Sequence, residues 1–170
     1  MPMTLIPAAK TAHRGPSRPT LIRTALGVSA AAIVGSAATD PGSAWYRSLS
    51  KPGFQPPPAA FPLAWTLLYA DLAVIFALAL DNAPDERHAT RTRRALAVDL
   101  VLNAGWSLVF FRAHRLGAAT LIAAALTASS ADLTRRAAAA DRRGLALAPY
   151  PAWCAFATVL SAALWRRNRR

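Results

Sequence analysis

Phe61-Pro62-Leu63-Ala64-Trp65-Thr66-Leu67-Leu68-Tyr69-Ala70-Asp71-Leu72-Ala73-Val74-Ile75-Phe76-Ala77-Leu78-Ala79-Leu80 holds a single charged side chain, Asp71. As a helix this stretch rises about 30 Å, the thickness of a bilayer's hydrocarbon core. Proline near its start suits a first helical turn, where the missing N–H has no partner to lose. Outward from it the pattern repeats: Leu21 to Ala38, Ala95 to Phe111, Leu116 to about Leu133, and Leu145 to Trp165 are apolar, with charges gathered between them. The chain of 170 residues is 54% hydrophobic. The reading is an all-α membrane protein, a bundle of five transmembrane helices.

Residues 1–20 form a basic, proline-bearing tail with no apolar period, residues 21–166 the five-helix domain, and residues 167–170 a second basic tail. For the Leu21 run a cleaved signal peptide is a rival reading, because a basic lead and the small residues Ser36-Ala37-Ala38 fit that pattern too. Residues 39–60 are rich in proline and glycine and predict a stiff loop outside the lipid. Arg112-Ala113-His114-Arg115 is short enough to force an antiparallel hairpin. Abundant Ala, Gly and Ser let helices approach closely in lipid.

The formal charge is +12, which in a soluble protein would raise nucleic acid as a partner. Here the arginines stand at the ends of apolar runs, where they snorkel to headgroups, so the partner is the lipid bilayer and no nucleic acid is expected. Counting basic residues by side leans toward a cytoplasmic N-terminus, whereas the run Arg166 to Arg170 argues the reverse. The lone cysteine, Cys154, excludes an internal disulfide. His13, His88 and His114 are far apart and lack ligand spacing, so no metal site is expected.

Two carboxylates lie deep in apolar runs, Asp71 and Asp99. Such groups cost several kcal/mol in hydrocarbon unless neutralised, paired or turned to a cavity, which makes them site candidates. Asn103, Trp106 and Phe110 follow Asp99 at i+4, i+7 and i+11, on one helix face. Trp65 and Tyr69 share a face of the second run with Leu72 and Phe76, and Trp153, Ala157, Leu160 and Leu164 make a stripe on the fifth. Such faces serve either helix packing or a chamber for a flat apolar ligand. Trp45 and Trp165, at segment ends, read as interfacial anchors.

Four blocks in order resemble one family. Trp45-Tyr46-Arg47-Ser48-Leu49-Ser50-Lys51-Pro52-Gly53-Phe54-Gln55-Pro56-Pro57, then Phe61 to Tyr69, Leu102-Asn103-Ala104-Gly105-Trp106-Ser107-Leu108-Val109-Phe110-Phe111, and Pro149-Tyr150-Pro151-Ala152-Trp153-Cys154-Ala155-Phe156-Ala157-Thr158-Val159-Leu160 are similar to the tryptophan-rich sensory protein family, TspO, also called translocator protein. The likeness covers roughly residues 22–168. It implies a five-helix fold, usually a homodimer, with a pocket beneath the loop after the first helix, and it implies that the Leu21 run is retained.

By resemblance the ligand-binding positions are Trp65, Tyr69, Asn103, Trp106, Phe110, Trp153, Phe156, Ala157 and Leu160, joined by Asp99 from the residue reading. Lys51, Pro52, Pro56 and Pro57 make a lid loop, whose fixed φ angles limit the entropy lost on closing. The implied ligand is a porphyrin or related tetrapyrrole, with no cofactor required. The implied role is sensor, scavenger or carrier. One alternative is an enzyme that degrades protoporphyrin in light and oxygen, with Trp65 and Trp153 as the catalytic residues; another is a passive transporter. A sterol motif proposed for the family's fifth helix lacks its tyrosine here, where Ser161 and Ala162 stand, which argues against sterols. The Ala- and Arg-heavy composition is associated with bacteria of high genomic GC, and with the five spans the expected location is a bacterial cell membrane.

Overall fold

Pro19 opens the first turn of α1 (Arg18–Ala38), and the Ser43 hydroxyl caps α2 (Ala44–Ser48) by accepting from the Tyr46 amide. α3 spans Ala60–Asp81. Asp85 caps α4 (Glu86–Ser107), which continues through a π-helical turn, Leu108–Arg112. α5 is Leu116–Ala140, a 3₁₀ stretch covers Arg142–Leu147, and α6 is Pro149–Asn168 with proline at its start. These features come from a computed structural model that describes residues 15–169; residues 1–14 and Arg170, parts of the two basic tails, lie outside the described residues. Among the described residues five helical segments are long and apolar enough to cross a membrane.

α4 starts well before the apolar run at Ala95. Its first nine residues carry Arg87, Arg91, Arg93 and Arg94, and hydropathy marks the lipid-facing part of a helix rather than its end. Likewise α5 runs past Leu133 to Ala140, its extension carrying Arg135 and Arg136, which pair with Asp132 just before it.

Each long helix turns one narrow stripe inward. On α1 it is Thr24, Val28, Ala31, Gly35 and Ala38, and on α5 Ala119, Ala123, Leu126, Ser130, Leu133 and Ala137. Steps alternating between four and three residues give a near-3.5 period, the seam of a left-handed bundle. Small residues on both seams allow close approach. The outer faces carry Ile33, Leu63, Val101 and Leu121, each at least 65% exposed; such apolar surface suits lipid and would be a liability in water. Half-buried and lipid-facing threonines return their hydroxyls to their own helices, as Thr66 and Thr120 do.

α1 is a working member of the bundle. Thr24 Oγ1 donates to the Ala73 carbonyl of α3 at 3.0 Å, and Arg112 Nη2 donates to the Ala37 carbonyl at 2.6 Å. The hairpin after the π turn closes through His114, whose φ of 56° lies in the left-handed region that histidine tolerates better than most side chains. At the other end of α5, Gly144 packs so closely that a β-carbon there would lie 2.1 Å from the Ala137 carbonyl carbon. Only glycine fits.

Candidate functional site

The loop between α1 and α3 is held from several directions. Lys51 Nζ donates to the carbonyls of Tyr46, Arg47 and Leu49 and sits 4.7 Å from the centre of the Tyr46 ring. It therefore caps the C-terminal end of α2. Pro52 is buried, Pro56 half-buried and Pro57 exposed. Ser50 exchanges two hydrogen bonds with the Asn168 side chain at the end of α6, at 2.9 and 3.1 Å. Trp45, expected as an interfacial anchor, also stacks on His114 at 4.0 Å and meets Phe110 edge-on at 5.6 Å. The loop is thus fastened to α4, α6 and the α4–α5 hairpin.

Beneath it the expected ligand-binding residues fall in two adjoining clusters. Trp65, Tyr69 and Trp153 pack on the core around Leu72 and Phe76; Trp106 and Phe156 pack on that around Phe110 and Leu160. Aromatic contacts bridge them. Phe61 meets Trp153 edge-on at 6.1 Å, Trp153 lies 5.4 Å from Phe156, and the lid residue Phe54 meets Phe156 at 6.4 Å. Trp65 reaches Tyr150 at 6.3 Å, and Trp106 stacks on Phe110 at 5.0 Å. Ala157 is half-buried on the same helix as Trp153.

Polar groups run through this apolar zone as one directed chain. Tyr69 donates to Asn103 Oδ1 at 2.7 Å, Asn103 Nδ2 donates to the Tyr150 hydroxyl at 3.4 Å, and Tyr150 donates to Asp99 Oδ2 at 2.5 Å. Asp99 is fully buried at the middle of its span. Among the described residues its Oδ1 has no donor at hydrogen-bonding geometry, the Ser129 hydroxyl being its other polar neighbour. Trp106 Nε1 donates to Ser161 Oγ at 3.3 Å. Trp153 Nε1 is buried and lacks an acceptor among the described residues. Asp71 is half-buried at the middle of α3, with no ion pair or hydrogen bond among the described residues.

Sequence reasoning missed Tyr150, Ser161 and Phe61 as contributors. Tyr150 was within reach of the period, three and four residues before Trp153 and Cys154. Nothing local marks Ser161, because its partner is on another helix.

Two cavities flank the bundle at opposite ends. One, of about 440 Å³, lies between the lid and the end of α6; the other, of about 320 Å³, lies between the start of α1, the end of α3 and the start of α4. The first touches the aromatic zone through Phe54. Among the described residues no group of His, Cys, Asp or Glu has the grouping of a metal site.

A sequence model of the TspO/MBR family matches residues 23–166, from α1 through α6. The chain belongs to the TspO/MBR family. Similar relatives include Protein CrtK of Rhodobacter capsulatus, 32% identical over 74% of this chain and 79% of that protein. Tryptophan-rich protein TspO of Archaeoglobus fulgidus is 30% identical over 73% of this chain and 80% of its own length. Translocator protein of Ovis aries is 29% identical over 75% and 77%. Family membership and the five apolar spans make this TspO/MBR protein a multi-pass integral membrane protein, and the Rhodobacter capsulatus and Cereibacter sphaeroides relatives support a bacterial membrane.

Proposed function

We propose that this protein binds porphyrin-type tetrapyrroles between α3, α4 and α6, as a sensor, scavenger or carrier. The observation that carries the reading is the direction of three indoles. Trp65 reaches Tyr150 on α6, Trp106 reaches Ser161 on α6, and Trp153 reaches Phe61 on α3. Each turns toward a neighbouring helix, so the rings offer apolar, stackable surface inside the bundle rather than to lipid. The unmet N–H of Trp153 is a donor for a ligand acceptor. Because the rings pack on one another, entry requires side-chain rotation and movement of the lid.

The test is a titration of the purified protein with protoporphyrin, followed by tryptophan quenching. Saturable quenching weakened about tenfold or more in Trp106→Phe or Trp153→Phe is expected, one aromatic contact being worth about 0.5–1.5 kcal/mol and a hydrogen bond a similar amount. Unsaturable quenching, or affinity untouched in every tryptophan variant, overturns the reading.

One arrangement favours the enzymatic alternative. An electron taken from Trp65 by photoexcited porphyrin can be replaced from Tyr150, whose phenolic proton passes along its hydrogen bond to Asp99. Oxygen would then consume the reduced porphyrin. Illumination that yields a new bilin-like absorption, lost in Trp65→Phe or Tyr150→Phe, selects degradation over simple binding. Ligand flux into protein-containing vesicles, absent from protein-free ones, would select transport.

A further inference from the structure

The cavity under the lid is walled by Pro52, Phe54, Ala163, Arg166, Arg167 and Arg169. Arginines at a helix C-terminus ordinarily complement its dipole and reach for headgroups. That accounts for their presence, but not for a half-open cleft of about 440 Å³ between them and an aromatic lid residue. Among the described residues, the five ion pairs lie elsewhere and leave these three guanidinium groups without a carboxylate. Arg169 is held with its guanidinium carbon 5.6 Å from the centre of the Trp165 ring, which fixes one donor fork beside the cavity.

The same face of α6 serves both regions. Phe156, Leu160, Ala163 and Arg167 follow at steps of four, three and four, so they lie along one side of the helix. From Leu160 to Arg167 the rise is about 10 Å. Phe54 joins the two regions physically, because it lines the cavity and packs edge-on against Phe156. A ligand lying along this face meets aromatic rings first and guanidinium groups about two turns later. Planar forks of that kind match carboxylates in paired, charge-assisted hydrogen bonds.

We propose that the arginine cavity is an anion-recognising vestibule that takes the carboxylate arms of the ligand while its macrocycle lies among the indoles. The inference rests on the tetrapyrrole reading and narrows it to tetrapyrroles that carry carboxylate arms on one edge, as protoporphyrin IX does. Neutral ligands of equal size gain nothing from this cavity. A lipid headgroup phosphate has related chemistry and is the competing source of an anion.

The experiment compares protoporphyrin IX with its dimethyl ester, by tryptophan quenching of the full chain in phosphatidylcholine discs. We expect the acid to bind about tenfold or more tightly than the ester, and this preference to fall below about threefold in Arg166→Gln/Arg167→Gln while ester affinity holds. Equal affinities in the unaltered protein, or a preference that survives in the double variant, overturn the vestibule and leave the tetrapyrrole reading standing. Binding of neither compound overturns both. Adding phosphatidylglycerol to the discs separates the sources: an acid preference that persists supports the proposal, and one that vanishes gives the cavity to lipid headgroups and overturns it.

Discussion

The Tyr150 hydroxyl, near the start of α6, donates to the Asp99 carboxylate at the middle of the α4 span across 2.5 Å. The bond joins two helices where lipid offers no alternative donor, and it ends a chain that begins at Tyr69 on α3. It therefore ties the three helices that carry the proposed ligand site.

Tyr150→Phe leaves Asp99 without its phenol, and a buried carboxylate that loses its donor costs about 1–3 kcal/mol. Thermal unfolding in detergent should show that loss. Asp99→Leu in the Tyr150→Phe background should recover part of it, since an apolar pair needs no partner. Additive losses in the double variant would show that the two residues act independently.

Asp71 stands at the middle of α3 without a partner among the described residues. An aspartate at the centre of a span disfavours insertion by about 2.5–3.5 kcal/mol. Asp71→Leu is expected to raise insertion efficiency and thermal stability. A fall in either would mean that Asp71 meets something in the bilayer, such as a second copy of the chain.

The Ser50–Asn168 exchange clasps the lid to α6. Asn168→Ala removes both bonds and should speed amide hydrogen exchange across residues 49–58, at a cost to global stability of no more than about 1–2 kcal/mol. Unchanged exchange there would show that Lys51 and Trp45 hold the lid unaided.

Gly144→Ala places a methyl group within 2.1 Å of the α5 backbone. Backbone cannot rotate away as a side chain does, so the turn between α5 and α6 must open, costing about 1–3 kcal/mol or more. Reduced yield and a lower melting temperature are expected; a fully stable variant would refute the close approach.

The His88 backbone N–H, and then its ring, hold the Asp85 carboxyl below the usual aspartate range. A carboxyl lowered on folding stabilises above its unfolded value, about 3.9. As pH falls through the lower folded value that contribution disappears. The His88 amide, followed by NMR, should be protected at neutral pH and lose protection in acid. In Asp85→Ala it should be exposed at both.

The sequence by itself determined the number of spans and, on the second, third and fifth, which residues share a face. Length, apolarity and helical period are local properties, and Trp65, Trp106 and Trp153 could be placed on faces from spacing alone. It did not determine where α4 begins, because Asp85 and the basic first turns extend the helix beyond what hydropathy registers. Nor could an α-helical period show the π turn that carries Phe110 and Phe111. Only the tertiary structure decided which polar groups meet. Tyr150 and Asp99 are 51 residues apart, and Ser50 and Asn168 are 118. Such pairings depend on how helices cross and how far a loop reaches, which arise from packing the whole bundle and leave no trace in any one segment.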